Sequence, residues 1–205
     1  ATMIKVYFRL PPAIILEVCK AAHKRGIPVA AHLEITEAME AIEAGVDGIE
    51  HITSFGLSLQ SKKDGEKYRR MMLADNNARK QGRYDVWNVL NINGDLADSL
   101  VKFLLRKKTF VSPTLGAFEY QFPDIQKEKD TAGEKPDSIK WNAFNNMKAL
   151  TGKLKKKGVR IVVGSHSMIT YAELGWAYQR EMELLVESGL TPSQVIVAAT
   201  MENAR

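Results

Sequence analysis

The sequence predicts an α/β protein built around a parallel sheet, and three observations carry that prediction. Short apolar runs rich in β-branched residues alternate with segments whose apolar residues recur at helical spacing. Glycines such as Gly26 and Gly45 close the helical segments. Two successive apolar runs in "IPVAAHLEITEAMEAIEAGVDGIEH" (27–51) each stop at a histidine. Strands alternating with helices in this way build βαβ units and a parallel sheet.

Taken in order, Met3 to Phe8 reads as the first strand, and Pro11-Pro12 opens a helix from Pro12 to Arg25. Ile14, Ile15, Val18, Cys19 and Ala22 give that helix its apolar face. Val29 to Ala31 is a short buried strand, Thr36 caps a helix running to Ala44, and Val46 to Ile49 is the third strand. From Thr53 to about Val86 the chain turns polar and charged. Tyr68, Met71, Met72 and Leu73 supply apolar contacts there, so the segment reads as a helical insertion. An amphipathic helix over Gly94 to Lys107 leads into a strand over Thr109 to Val111, closed by Ser112-Pro113-Thr114. A long loop, a helix over Ser138 to Lys157 and a buried strand over Val159 to Gly164 follow. Helices over Tyr171 to Ser188 and Thr191 to Met201 complete the chain, the second with a Thr cap and Pro at its first position. The five strands therefore lie near Lys5, His32, His51, Ser112 and His166. The longest extra segments follow strand C-termini, where α/β enzymes carry their sites.

A chain of 205 residues with 45% hydrophobic and 26% charged residues has the composition of a globular domain. Its net charge of +5 is spread among acids rather than gathered on one face, which argues against nucleic acid as a partner. The densest basic run, "GKLKKKG" (152–158), falls where a helix ends and suits the negative end of its dipole. Cys19 is the only cysteine, which excludes an intrachain disulfide. No apolar run approaches the ~18 residues of a membrane span, and a membrane is not an expected partner. The sequence leaves the compartment open, with the cytoplasm as the expectation where no targeting segment precedes residue 1.

Three of the four histidines, His32, His51 and His166, stand where predicted parallel strands end. In a parallel sheet those ends share one rim, so the imidazoles converge, and imidazole is a favoured ligand of zinc and similar divalent ions. A metal or catalytic site is thus favoured over three unrelated strand-capping histidines. His23 falls mid-helix and reads as a surface residue. Lys5 lies inside the first strand, where lysine is seldom buried without a partner. Tyr120, in the loop after the fourth strand, could touch substrate or simply pack the loop. Arg180 and Glu181 read as an exposed pair on a helix.

The stretches "IKVY", "VAAHLEITEAMEAIEAGVDGIEH", "SPTL", "VVGSHS" and "GWAYQREMELLVESGLTPSQVIVAATMENAR", in that order, resemble the amidohydrolase superfamily, in its imidazolonepropionase-like and prolidase-like branch. The resemblance implies a TIM-barrel (β/α)8 fold with a metal centre at the C-terminal rim, of which this chain carries strands four to eight. Strands one to three and a flanking β-sandwich domain are then absent from it, and the open sheet edges would favour a homo-oligomer or association with the missing barrel segment. By the same resemblance Lys5 matches the fourth-strand lysine that is carbamylated and bridges two metals, His32 matches the fifth-strand metal ligand and His51 the sixth-strand metal ligand. The implied activity is hydrolysis of amide or cyclic-amide bonds in a small molecule such as a dipeptide or lactam, through a water activated by a divalent metal, most often zinc. At most one metal is expected on this chain. Two departures stand out. His166 occupies the position of an aspartate that serves as ligand and general base, so it becomes both a candidate ligand and the candidate catalytic proton carrier. No H-x-H pair occurs anywhere in the sequence. The alternative function is therefore a catalytically inactive metal-binding or scaffold protein.

Overall fold

A computed structural model describes residues 2–121 and 137–204. Four parallel strands lie side by side in chain order: β1 (Ile4–Val6), β2 (Val29–His32), β3 (Gly48–Glu50) and β4 (Phe110–Ser112). Register gives the sheet two different faces. The row Val6, Ala31, Ile49 and Val111 is buried under the helices. The row Lys5, Ala30, Gly48 and Phe110 lies on the opposite, concave face, where Ala30, Phe110 and Val162 form a small apolar cluster of their own. A sheet covered by helices on one face and curved around a second cluster is the wall of a partial barrel.

The helices follow the predicted order, with shorter ends. Helix α1 (Pro12–His23) buries Ile15, Cys19 and Ala22. The turn into β3 passes through Gly45, whose φ of 110° and whose approach to Cys19, with space for a Cβ only 3.0 Å from the Cys19 Cβ, both demand glycine. The short helix α2 (Ala38–Glu43) is capped by Glu37, whose carboxylate accepts from the Met39 and Glu40 amides at 3.1 and 3.2 Å. Thr36, expected as that cap, donates instead to the Leu10 carbonyl at 2.6 Å and ties the rim after β2 to the loop after β1. The insertion after β3 is helical as expected: a 3-10 turn (Ile52–Phe55), α3 (Lys62–Ala74) and α4 (Ala78–Val89). Tyr68, Met72, Val86 and Trp87 anchor it in the main core. Helix α5 (Asp95–Lys107) precedes β4, and α6 (Ser138–Lys156) packs against α4. In the lysine-rich end of α6, Lys153 is not a free solvated cation: it pairs with Asp98 at 2.7 Å and donates to the Ile92 carbonyl at 2.9 Å.

Two expectations need correction. The run Val159 to Gly164 is buried at Val159 and Ile161 to Val163, but it pairs with the sheet through one bridge, Val111 to Ile161. Its backbone makes two hydrogen bonds to Val111, and its outer edge is held by a side chain, the Asn203 amide donating to the Val163 carbonyl at 3.0 Å. One partner strand is too little to regularise it. The helix expected from Tyr171 starts only at Ala177, because Gly175 takes a φ of 88°, incompatible with an α-helix. That helix, α7 (Ala177–Glu187), is followed by α8 (Pro192–Ala199), with the predicted Thr191 capping box, and α9 (Met201–Ala204). Among the described residues no helix is long and apolar enough to cross a membrane.

Candidate functional site

The ends of β2 and β3 and the segment after Val163 bring His32, His51 and His166 into one row. The His32 and His51 ring centroids are 4.3 Å apart, and those of His51 and His166 are 5.2 Å apart. Convergence on one rim, expected from strand direction alone, is thus what the fold produces. His32 and His51 are buried, whereas His166 is exposed. Tyr7 and Phe8 pack edge-on and tilted against His32, and Phe118 packs against His51.

Backbone geometry aims His51. Its φ of 66° is rare for a residue with a side chain, and Thr114, with φ of 49°, mirrors it across the rim. The Thr114 hydroxyl donates to the Pro113 carbonyl at 2.8 Å, so it can only accept from His51 Nδ1 at 2.5 Å. This network assigns the proton to Nδ1 and leaves the Nε2 lone pair bare. Burial, followed by the neighbouring His32 and the Lys5 ammonium, pushes the His51 pKa down to about 2. Burial and Lys5 likewise lower that of His166. Both rings are therefore neutral at pH 7. On the next strand, His32 Nε2 is buried and makes no hydrogen bond among the described residues. Glu34 Oε1 lies 3.7 Å from it, beyond hydrogen-bonding range.

These nitrogens fit a divalent metal in part. An orphaned buried nitrogen and a neighbouring bare lone pair suit a zinc-like ion. The set is incomplete, because among the described residues no three His, Cys, Asp or Glu side chains gather closely enough to hold a metal. Register explains where Lys5 stands. It pairs with Ala30, two residues below His32, and its ammonium lies 3.7 Å from Glu50 on a side chain 47% exposed. Tyr120 accepts the Asp137 amide at 2.8 Å and so joins the loop after β4 to the start of α6. The rest of that loop, 122–136, lies outside the described residues.

Two groups at the rim escaped sequence reasoning. Glu34, two residues after His32, is gripped by Arg79 at 3.2 Å and Arg83 at 2.9 Å. Burial alone would raise its pKa, but the His32 ring and the two guanidiniums outweigh it and hold the carboxyl below the usual range. The i, i+4 spacing of Arg79 and Arg83 on an inserted helix was the available signal. The second group corrects the expectation that Arg180 and Glu181 are exposed. Glu181 is 1% exposed, and its carboxylate accepts the Leu115 and Gly116 amides at 2.9 and 2.8 Å. Arg180 forks onto the buried Glu119 at 2.7 and 3.1 Å. Helix α7 is thereby fastened to the rim loop after β4. A helical-period reading sees only that the two are adjacent, and cannot see that the loop supplies donors.

Neutral burial of His51 has a measurable consequence. Below pH 6.5 the unfolded chain binds a proton that the folded chain refuses until about pH 2, so this group's share of stability is complete above pH 6.5 and falls with pH below it. In metal-free protein, His51→Asn is expected to remove on the order of 3 kcal/mol of acid destabilisation between pH 7.5 and 4.5. Urea titrations of parent and variant at both pH values check it; equal slopes against pH would refute the assignment.

No family model matches the chain, and no curated protein matches it. Solved structures do match. A Xaa-Pro dipeptidase with methionine bound in its active site superposes at a TM-score of 0.60 with 21% identity, over 100% of this chain and 43% of its own. A bottromycin amidohydrolase gives 0.60 and 20%, over 98% of this chain and 45% of its own. The ochratoxinase of A. niger gives 0.56 and 19%, over 98% and 38%. The chain shares the fold of these solved structures and spans less than half the length of each.

Proposed function

We propose that the chain is the metal-binding part of a hydrolase acting on amide or cyclic-amide bonds of small molecules. The observation that carries this reading is the adjacent pair His32 and His51, ring centroids 4.3 Å apart, one with an orphaned buried nitrogen and the other with a lone pair freed by Thr114. A zinc-like ion held there would lower the pKa of a bound water and polarise the scissile carbonyl. Around it, His32 and His51 offer neutral or unpartnered nitrogens, Thr114 fixes the His51 tautomer, and His166, neutral and exposed, accepts a proton and returns it to the leaving amine. Lys5, above Glu50 on the concave face, is a further candidate ligand should it become carbamylated, and Tyr120 is a candidate substrate contact. In this reading the chain is the strand-four-to-eight portion of a barrel domain, and its open sheet edges pair with further strands or with a second copy.

A second reading, a metal-binding protein without hydrolysis, is favoured by one observation: His166 brings no negative charge, and the described residues complete no three-ligand set. Equilibrium dialysis against zinc separates these outcomes. The parent is expected to retain about one ion per chain, and His32→Ala and His51→Ala to lose it, with affinity falling by at least about tenfold. A parent that retains none overturns both readings. Retention without turnover of any dipeptide, N-acyl amino acid or lactam leaves the second.

A further inference from the structure

Parallel strands all begin at one end of the sheet, so the helices that lead into them end there too. Helix α5 ends at Lys107 just before β4, and α6 ends at Lys156 just before the run bridged at Ile161. The two ends lie together. Asp98 of α5 pairs with Lys153 of α6 at 2.7 Å, and a groove of about 270 Å3 between them is lined in part by Leu105, Lys108, Gly158 and Arg160. The acids here are already taken, Asp98 by Lys153 and Glu43 by Lys107 at 2.6 Å. Arg106, Lys108, Lys155, Lys156 and Lys157 make no ion pair among the described residues. A helix end carries about half a negative charge, so two ends offset only about one of these cations. In the sequence the cations fall in two distant runs, 106–108 and 155–157; the fold joins them, against the expectation of an even spread.

Lys108 adds an observation of a different kind. Helices α1, α2, α6 and α7 turn away through glycines of positive φ, Gly26, Gly45, Gly158 and Gly189, whereas α5 turns through Lys108 at a φ of 57°. That conformation disfavours any residue with a Cβ. The chain thus keeps a lysine where glycine would relieve the backbone, and that lysine lines the groove.

We infer that this end of the fold is a docking surface for an anionic phospholipid membrane. Lysines, compact point charges, outnumber arginine in the patch. They suit the diffuse field of lipid headgroups better than the paired contacts by which arginine reads bases. Leu105, 42% exposed among the cations, offers an apolar contact to the interface. The rings on which nucleic-acid bases would stack, Phe103 under Arg106 and Phe110 under Arg160, are only 5% and 7% exposed. The imidazole row stands at the opposite ends of the strands, so a docked chain keeps it facing solution.

Co-sedimentation of the full chain, without metal, with vesicles of phosphatidylcholine alone or with about 30% phosphatidylserine tests this. At about 0.1 M salt, partitioning onto the anionic vesicles is expected to exceed that onto neutral ones at least about tenfold, and the excess to disappear near 0.5 M through screening. Replacing Lys155, Lys156 and Lys157 together by Gln is expected to weaken binding about a hundredfold, at about fivefold per cation. Lys62→Gln combined with Lys63→Gln, which removes charge from α3, should bind like the parent. Lys108→Gly is expected to weaken binding about fivefold without lowering the melting temperature, a combination that a helix cap alone does not produce. A circular-dichroism melt shows whether the triple variant folds, and the comparison of vesicles in the parent needs no variant. Equal partitioning onto both vesicles, no partitioning, parent-like binding by the triple variant, or tighter binding to a short DNA duplex than to anionic vesicles at the same salt overturns the inference.

Discussion

Glu181→Ala is expected to lower the melting temperature by about 6–12 °C, roughly 3 kcal/mol for a domain of this size. The substitution removes the carboxylate that accepts two amides, those of Leu115 and Gly116, at a residue 1% exposed. A buried donor without a partner costs about 1–3 kcal/mol, and here there are two. Glu181→Gln should cost about half as much, since one amide oxygen can still accept while the NH2 group faces the other donor. A pH signature separates this clamp from simple packing. Burial raises the Glu181 pKa to about 7 despite the two amide donors. A raised carboxyl contributes stability that is complete below pH 4.5 and lost as pH rises through 7, the reverse of His51. Thermal melts of the Gln variant should therefore lack this decline and show stronger acid sensitivity than the parent. A variant with parent-like melting would show that the rim loop does not depend on α7.

Gly48→Val is the second large effect, about 2–3 kcal/mol and 4–12 °C in melting temperature. Gly48 has no unusual φ; what it lacks is room. A Cβ built there falls 2.0 Å from the Phe110 ring, which lies flat across the glycine on the concave face. Real Cβ atoms do not approach so closely, so the ring must swing away from Ala30 and Val162 and from Arg160, stacked 5.2 Å from it. Phe110→Ala in the same chain should restore part of the loss, and a double-mutant cycle measures the coupling. Additive effects would mean that the ring and the glycine do not share this space.

Much of this architecture was readable from periodicity. Ile15, Cys19 and Ala22 declared the buried face of α1, and glycine at 26 and 45 marked its neighbours' turns, because burial and φ leave direct marks on residue choice. The imidazole row was readable for a topological reason: parallel strands put all their C-terminal ends on one side. What was not readable depended on partners distant in sequence. Thr36 is as good a cap as Glu37 until the Leu10 carbonyl is known to lie beside it. Arg180 and Glu181 look like an ordinary helix surface until the loop after β4 presents donors to them. The last strand carries the strongest β-pattern, yet pattern cannot supply a second neighbour to pair with. Glu34 passed unnoticed because its partners sit 45 and 49 residues away.

The Glu181 contact also orders events in time. Its carboxylate joins residues 65 and 66 positions apart, so a long stretch of chain, including all of α6, must be in place before the loop after β4 is fixed. Closing such a loop is entropically costly until the intervening segment has condensed. Strands β1 to β3 can pair first from nearer contacts, whereas β4 joins β3 across a separation almost as long, from Gly48 to Phe110, and Thr114, just after β4, is held in place only with the loop that Glu181 fastens. The imidazole row is in this sense a late-maturing feature, and a polypeptide interrupted before α7 would retain the sheet without a finished rim.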